Sequence, residues 1–83
     1  MSMIKEEIKE KFYEIIAYQF GVEIEDIRPE DIFENKYASD SLDFIELLMA
    51  CEDLFEISIP DEEAENIKTV QQALDYLENK LNS

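Results

Sequence analysis

No histidine occurs anywhere in this 83-residue chain, and there is a single cysteine, a single glycine, two prolines and no tryptophan. Without imidazole there is no Ser/His catalytic pair, no neutral general base of the usual kind and no ordinary transition-metal site. One cysteine closes no internal disulfide and is too few for a metal cage, which fits a reducing compartment. One glycine rules out a glycine-rich phosphate loop, and the alternating Asp/Asn pattern with a central glycine of a calcium loop is missing too. There is no apolar run of membrane-spanning length and no basic segment followed by a short apolar stretch that would mark export. The expected compartment is the cytosol, and the expected role is not catalytic.

Bases are the next scarcity. Seven Lys and Arg stand against 22 Asp and Glu, for a formal charge of −15. Such a surface repels nucleic-acid backbones and anionic membranes, attracts basic patches on other proteins, and favours a monomer. Between Tyr37 and Ile67 lie ten acids and no base: Asp40, Asp43, Glu46, Glu52, Asp53, Glu56, Asp61, Glu62, Glu63 and Glu65. Taken alone, that run reads as a solvated acidic face. With 46% hydrophobic residues the chain is still apolar enough to fold, and its length makes residues 1–83 one small domain with a modest core.

Apolar spacing predicts an all-α, four-helix bundle: three longer helices, one short helix, and a long loop between the first two. Ser2 is placed to cap a first helix running to about Gln19. Its stripe is Ile4, Ile8, Phe12, Ile15 and Ile16, and Gly21 is its expected stop. From Val22 to Ser39 the chain reads as an irregular loop anchored by Val22, Ile24, Ile27, Ile32 and Phe33, with a turn at Pro29-Glu30-Asp31. The second helix is expected to start from Asp40 as N-cap and reach about Glu56. Pro60 opens a short helix through about Ile67. Thr69 then begins the last helix, with Gln72 completing a capping box ahead of the stripe Val70, Ala73, Leu74, Leu77 and Leu81.

The second helix has two faces. Phe44, Leu47, Leu48, Cys51, Leu54 and Phe55 fill an arc of about 120° that predicts the core side, with Cys51 a buried structural thiol. Leu42, Ile45 and Met49 lie together elsewhere, rimmed by Glu46, Glu52, Asp53 and Glu56. That strip reads either as a docking surface or as a second buried side under the loop and the short helix. At the head of the helix stands Ser41. A serine there, with no histidine to activate it, suits the acceptor of a phosphodiester better than a nucleophile, because first-turn N–H groups and the helix dipole favour the added anion.

The strings Asp40-Ser41-Leu42-Asp43, Ile45-Glu46-Leu47, Met49-Ala50, Phe55, Ile59-Pro60-Asp61-Glu62-Glu63-Ala64-Glu65 and Thr69-Val70 resemble the acyl carrier proteins of dissociated fatty-acid synthases. The likeness covers about Phe12 to Leu77. It implies that Ser41 receives 4′-phosphopantetheine from coenzyme A through a phosphopantetheinyl transferase, with Asp40 capping the helix and contacting that transferase and Leu42 beside the arm. The arm then holds acyl chains as thioesters, and the chain end slides into the apolar centre of the bundle. Fatty-acid synthesis or acyltransferase enzymes with basic patches are the implied partners. Their docking surface is expected at Leu42, Asp43, Ile45, Glu46, Met49, Glu52, Asp53, Glu56 and Ile59.

The chain departs from the family pattern at Lys36, at Tyr37-Ala38-Ser39 in place of Leu-Gly-Ala, and at Phe44, Cys51 and Leu54. Two further readings therefore stand beside general fatty-acid synthesis. One is a carrier dedicated to a specialised lipid or polyketide pathway, and the other an unmodified acidic docking module with the same fold.

Overall fold

The computed structural model describes residues 4–37 and 41–82. Its helices are α1 (Lys5–Phe20), α2 (Phe33–Lys36), α3 (Ser41–Phe55), α4 (Asp61–Ala64) and α5 (Val70–Asn82), with a 3₁₀ turn at Ile24–Asp26. The three long helices are those expected. The expected caps at Ser2 and Asp40 lie outside the described residues.

Helix α1 packs on both α3 and α5. Gln19, near its end, reaches Glu46 near the start of α3, and Lys5, at its start, lies 4.0 Å from Glu78 near the end of α5. So α1 runs antiparallel to both. Ile8, Phe12 and Ile16 of α1 meet Leu47, Cys51 and Phe55 of α3 and Val70, Ala73, Leu74 and Leu77 of α5 in one buried cluster. Ile27 and Phe33 plug it from the loop, and Ile59 and Ile67 from either side of α4.

Two helix ends use left-handed residues. Gly21 sits at φ 66°, and both its own N–H and that of Val22 bond the Ala17 carbonyl. Glu56 does the same work after α3 at φ 55°, with the Ile57 N–H returning to the Glu52 carbonyl. A side chain is normally disfavoured there, so Glu56 holds a position that suits glycine.

The segment read as irregular loop is more ordered than expected. Ile32 pairs with Thr69 in an isolated antiparallel bridge. Phe33 N–H donates to the Lys68 carbonyl, while the first-turn N–H groups of Val70 and Gln71 donate to the carbonyls of Asp31 and Pro29. The loop thereby satisfies the N-terminus of α5, and the predicted capping box completes it. Gln72 N–H donates to Thr69 Oγ1 at 3.1 Å, and Gln72 Oε1 accepts from Thr69 N–H at 3.1 Å and Lys68 N–H at 2.8 Å.

Five expectations need correction. Phe33–Lys36 forms a helical turn where loop was expected, and α4 ends at Ala64 with Glu65 and Asn66 in turns. Ile4 precedes α1 as its N-cap and is exposed rather than part of the stripe. Ile24 and Ile32 are exposed too, since the 3₁₀ turn lies on the surface and Ile32 is held by its backbone. Leu54, at the edge of the predicted core arc, is 49% exposed.

Candidate functional site

Ser41 is the first residue of α3, where N–H groups without intrahelical partners and the positive end of the helix dipole meet. Asp43 lies in the same first turn. Behind it the helix keeps its two faces apart. Leu42, Ile45 and Met49 are 61%, 49% and 57% exposed, while Leu47 and Cys51 are sealed in the core. The strip is therefore surface among the described residues, and the alternative of a second buried side is set aside. Glu46, Asp53 and Glu56 are exposed around it.

Of the residues expected on that surface, Ile59 lies inside and Glu52 at the edge. Ile59 is buried, and its N–H donates to Glu52 Oε2 at 2.7 Å. The Glu52 carboxylate thus pins the chain between α3 and α4, and Glu52 itself is only half-exposed.

Between α3 and α4 lies a cleft of about 460 Å³, within the ~300–1,000 Å³ typical of small-molecule sites. Phe44, Leu48, Ile59 and Ala64 give it an apolar lining. Ile45 and Met49 stand at the α3 wall, with Glu52, Asp61 and Glu65 as carboxylates among the lining residues. Sequence reasoning marked the α3 side of this cleft but missed Asp61, Ala64 and Glu65, which come to it only through the turn after α3.

Tyr37 and Phe44 join Phe33 and Phe20 in one aromatic packing. Phe44 meets Phe33 with tilted rings and centroids 5.3 Å apart, Phe33 meets Tyr37 at 6.0 Å, and Tyr37 meets Phe20 at 5.6 Å. Tyr37 is held through its hydroxyl, which donates to Asp31 Oδ2 at 2.5 Å. The same oxygen accepts from the Arg28 N–H at 2.8 Å and Lys36 Nζ at 3.0 Å. Burial acts to raise the Asp31 carboxyl, but these three donors outweigh it and hold its pKa below the usual value. Burial and the Asp31 charge push the Tyr37 hydroxyl well upward. Tyr37 and Lys36 thereby tie the end of α2 back to Asp31. No local signal in the sequence announces this hub, since Asp31 gathers donors from three to six residues away without a repeat.

Cys51 answers its structural reading: it is buried, and burial followed by the Glu52 charge pushes its thiol up to about 12. Among the described residues, no group of three or more Asp, Glu or Cys is placed to hold a metal ion, and no helix is long and apolar enough to cross a membrane.

Comparison with known proteins bears directly on this geometry. The family described as "Phosphopantetheine attachment site" matches residues 10–77. The acyl carrier protein of Chlorobium phaeobacteroides is 49% identical over 78 residues, covering 94% of this chain and 100% of the relative. Those of Chlorobium phaeovibrioides and Chlorobium luteolum are 49% and 47% identical over the same spans.

Proposed function

Since the chain belongs to the acyl carrier protein family and carries acyl chains on 4′-phosphopantetheine, we propose that Ser41 is the attachment residue and that the exposed side of α3 docks the enzymes it serves. The observation that carries this is the order along one helix: the serine at its first position, the apolar strip Leu42, Ile45 and Met49 directly after it, and carboxylates around that strip. The group supplies a thiol on a long arm, to which acyl chains are bound as thioesters. The protein's own part is to hold the phosphodiester at a helix N-terminus, to shelter the aliphatic cargo, and to present both to a partner.

The residues present fit such a group. The attachment position has the favourable end of a helix dipole, and the cleft between α3 and α4 opens from the same helix with an apolar lining. Asp40 belongs to the transferase contact in this reading. Asp43, Glu46, Asp53 and Glu56 supply the charge that meets basic patches, while Leu42, Ile45 and Met49 supply the apolar contact. Fatty-acid synthesis is the proposed setting, the cytosol the proposed compartment, and a carrier without catalysis of its own the proposed role.

Incubation with coenzyme A and a broad-specificity phosphopantetheinyl transferase tests the attachment. One phosphopantetheinyl group on the tryptic peptide holding Ser41, absent from Ser41→Ala, is the expected result; modification elsewhere, or none, would contradict it. Docking is tested separately with a fatty-acid synthesis enzyme and two surface variants. Met49→Ala is expected to weaken the affinity roughly tenfold, while Leu54→Ala, exposed on another side of α3, leaves it unchanged.

A further inference from the structure

Helix α4 is too short to hold itself. It has four residues, none buried, and Pro60 at its N-cap gives no side-chain cap; an isolated turn of this length is unstable in water. Its neighbours Ile59 and Ile67 are anchored in the core, which fixes where the segment begins and ends but not how it leans. Along one edge it faces the cleft, with Asp61, Ala64 and Glu65 lining it opposite Ile45, Leu48 and Met49 of α3.

The other edge is fastened. Glu63 accepts a hydrogen bond from the Tyr76 hydroxyl of α5, and its carboxylate lies 3.7 Å from Lys80 Nζ one turn further on. Lys80 closes the triangle, with Nζ 5.6 Å from the centre of the Tyr76 ring. The Tyr76–Glu63 bond is charge-assisted and half-buried, and the Lys80 ion pair, a third to a half exposed, adds a weaker hold. Burial first, then Glu63, and then the Glu52 charge from α3 push the Tyr76 hydroxyl up to about 12, so the tyrosine remains a donor throughout the neutral range. Repulsion among Asp61, Glu62, Glu63 and Glu65 makes a cation at this edge useful, and Lys80 stands there.

We propose that Tyr76 and Lys80 are positioning residues that clasp α4 to α5 through Glu63 and thereby set the width of the cleft between α3 and α4. The consequence for cargo rests on the reading above that this cleft shelters the acyl chain. Opening the cleft then means swinging α4 about Ile59 and Ile67, and the clasp at Glu63 resists that swing. The chain consequently has a latch whose residues lie outside the docking strip.

The test compares wild type with Tyr76→Phe and Glu63→Gln, each carrying an octanoyl chain loaded from octanoyl-coenzyme A by the transferase. Amide hydrogen exchange at Glu63, Ala64 and Glu65 is measured against that of α1, and the thioester's cleavage by hydroxylamine is timed against free octanoyl-pantetheine. Removing the hydroxyl is expected to speed α4 exchange roughly tenfold relative to α1 and to make the thioester more labile. Glu63→Gln keeps an acceptor for Tyr76 but loses the charge facing Lys80, so a smaller rise of about twofold is expected. An unchanged ratio of α4 to α1 exchange, or a rise shared equally by both, overturns the latch. Wild-type thioester as labile as octanoyl-pantetheine instead overturns the sheltering of cargo, and the exchange ratio still decides the latch on its own.

Discussion

At the scale of single residues, the backbone at Gly21 and Glu56 makes matched demands. Both sit in the left-handed region, at φ 66° and φ 55°, and both close a long helix. A Cβ at Gly21 would meet nothing within 4 Å, so Gly21→Ala carries conformational strain without a clash. The expected cost is about 1 kcal/mol, and Glu56→Gly is expected to gain a similar amount. Urea unfolding of the two variants checks this; a change of the same sign in both would contradict it. The titrating residues set the pH limits. Cys51 and Tyr76 are pushed up to about 12 in the fold, and Tyr13 and Tyr37 also lie above the usual value. A group whose folded pKa exceeds its unfolded one contributes stability below the unfolded value and loses it as pH rises. The urea midpoint is therefore expected to be insensitive to these groups at pH 7 and to fall steeply from about pH 9 upward. Asp31 has the opposite sign: its lowered pKa contributes stability that is lost as pH drops below about 4, and Asp31→Asn removes that part of the acid limb.

Among the elements, the N-terminus of α5 is the most heavily specified, because loop carbonyls and the Thr69–Gln72 box together satisfy its N–H groups. Thr69→Ala is expected to cost about 1 kcal/mol, read as a lower urea midpoint, and Thr69→Ala with Gln72→Ala to cost more. Equal effects of the single and double changes would show that Gln72 adds nothing. This box was legible in the sequence because both partners lie within one turn. The stripes of α1, α3 and α5 were legible for a similar reason, as a 3.6-residue period repeated over several turns. What escaped is what depends on distant partners. Helix α2 is one turn long and has no period, and its first N–H is satisfied by Lys68. Ile59 reads as surface beside an acidic string, yet Glu52 draws its backbone inward. Leu54 lay at the margin of an arc, where a wheel cannot distinguish the last buried residue from the first exposed one. The site divides in the same way: spacing set Leu42, Ile45 and Met49 apart from the core arc of α3 but left open whether they were buried. Their exposure, the opposite wall on α4 and the clasp at Glu63 needed the fold.

For the whole molecule, charge is the dominant fact. A formal −15 is spread over 83 residues, and no base separates Ser41 from Ile67. Cations in contact lie on elements other than α3 and α4, among them Lys5 beside Glu78, Lys9 over Tyr13, Lys36 beside Asp31 and Lys80 beside Glu63. Self-repulsion along α3 and α4 opposes the fold, so the melting temperature is expected to rise by several degrees with added salt, and more with magnesium at equal ionic strength. A melting temperature indifferent to both would mean that repulsion does not limit stability. With docking on α3 as proposed, the same asymmetry is expected to steer basic partners toward that helix, and added salt to slow their association more than it hastens their release.

Carrier function in this protein turns on one covalent bond, at Ser41 as proposed. Its most direct test is the intact mass of the protein isolated from its native cells, with wild type beside Ser41→Ala. A single phosphopantetheinyl increment on wild type, lost in the variant, is the predicted result, and any further mass reports the acyl cargo. An unmodified wild-type mass that also stays unchanged after treatment with coenzyme A and transferase would contradict the account, leaving an acidic docking protein with a carrier's fold.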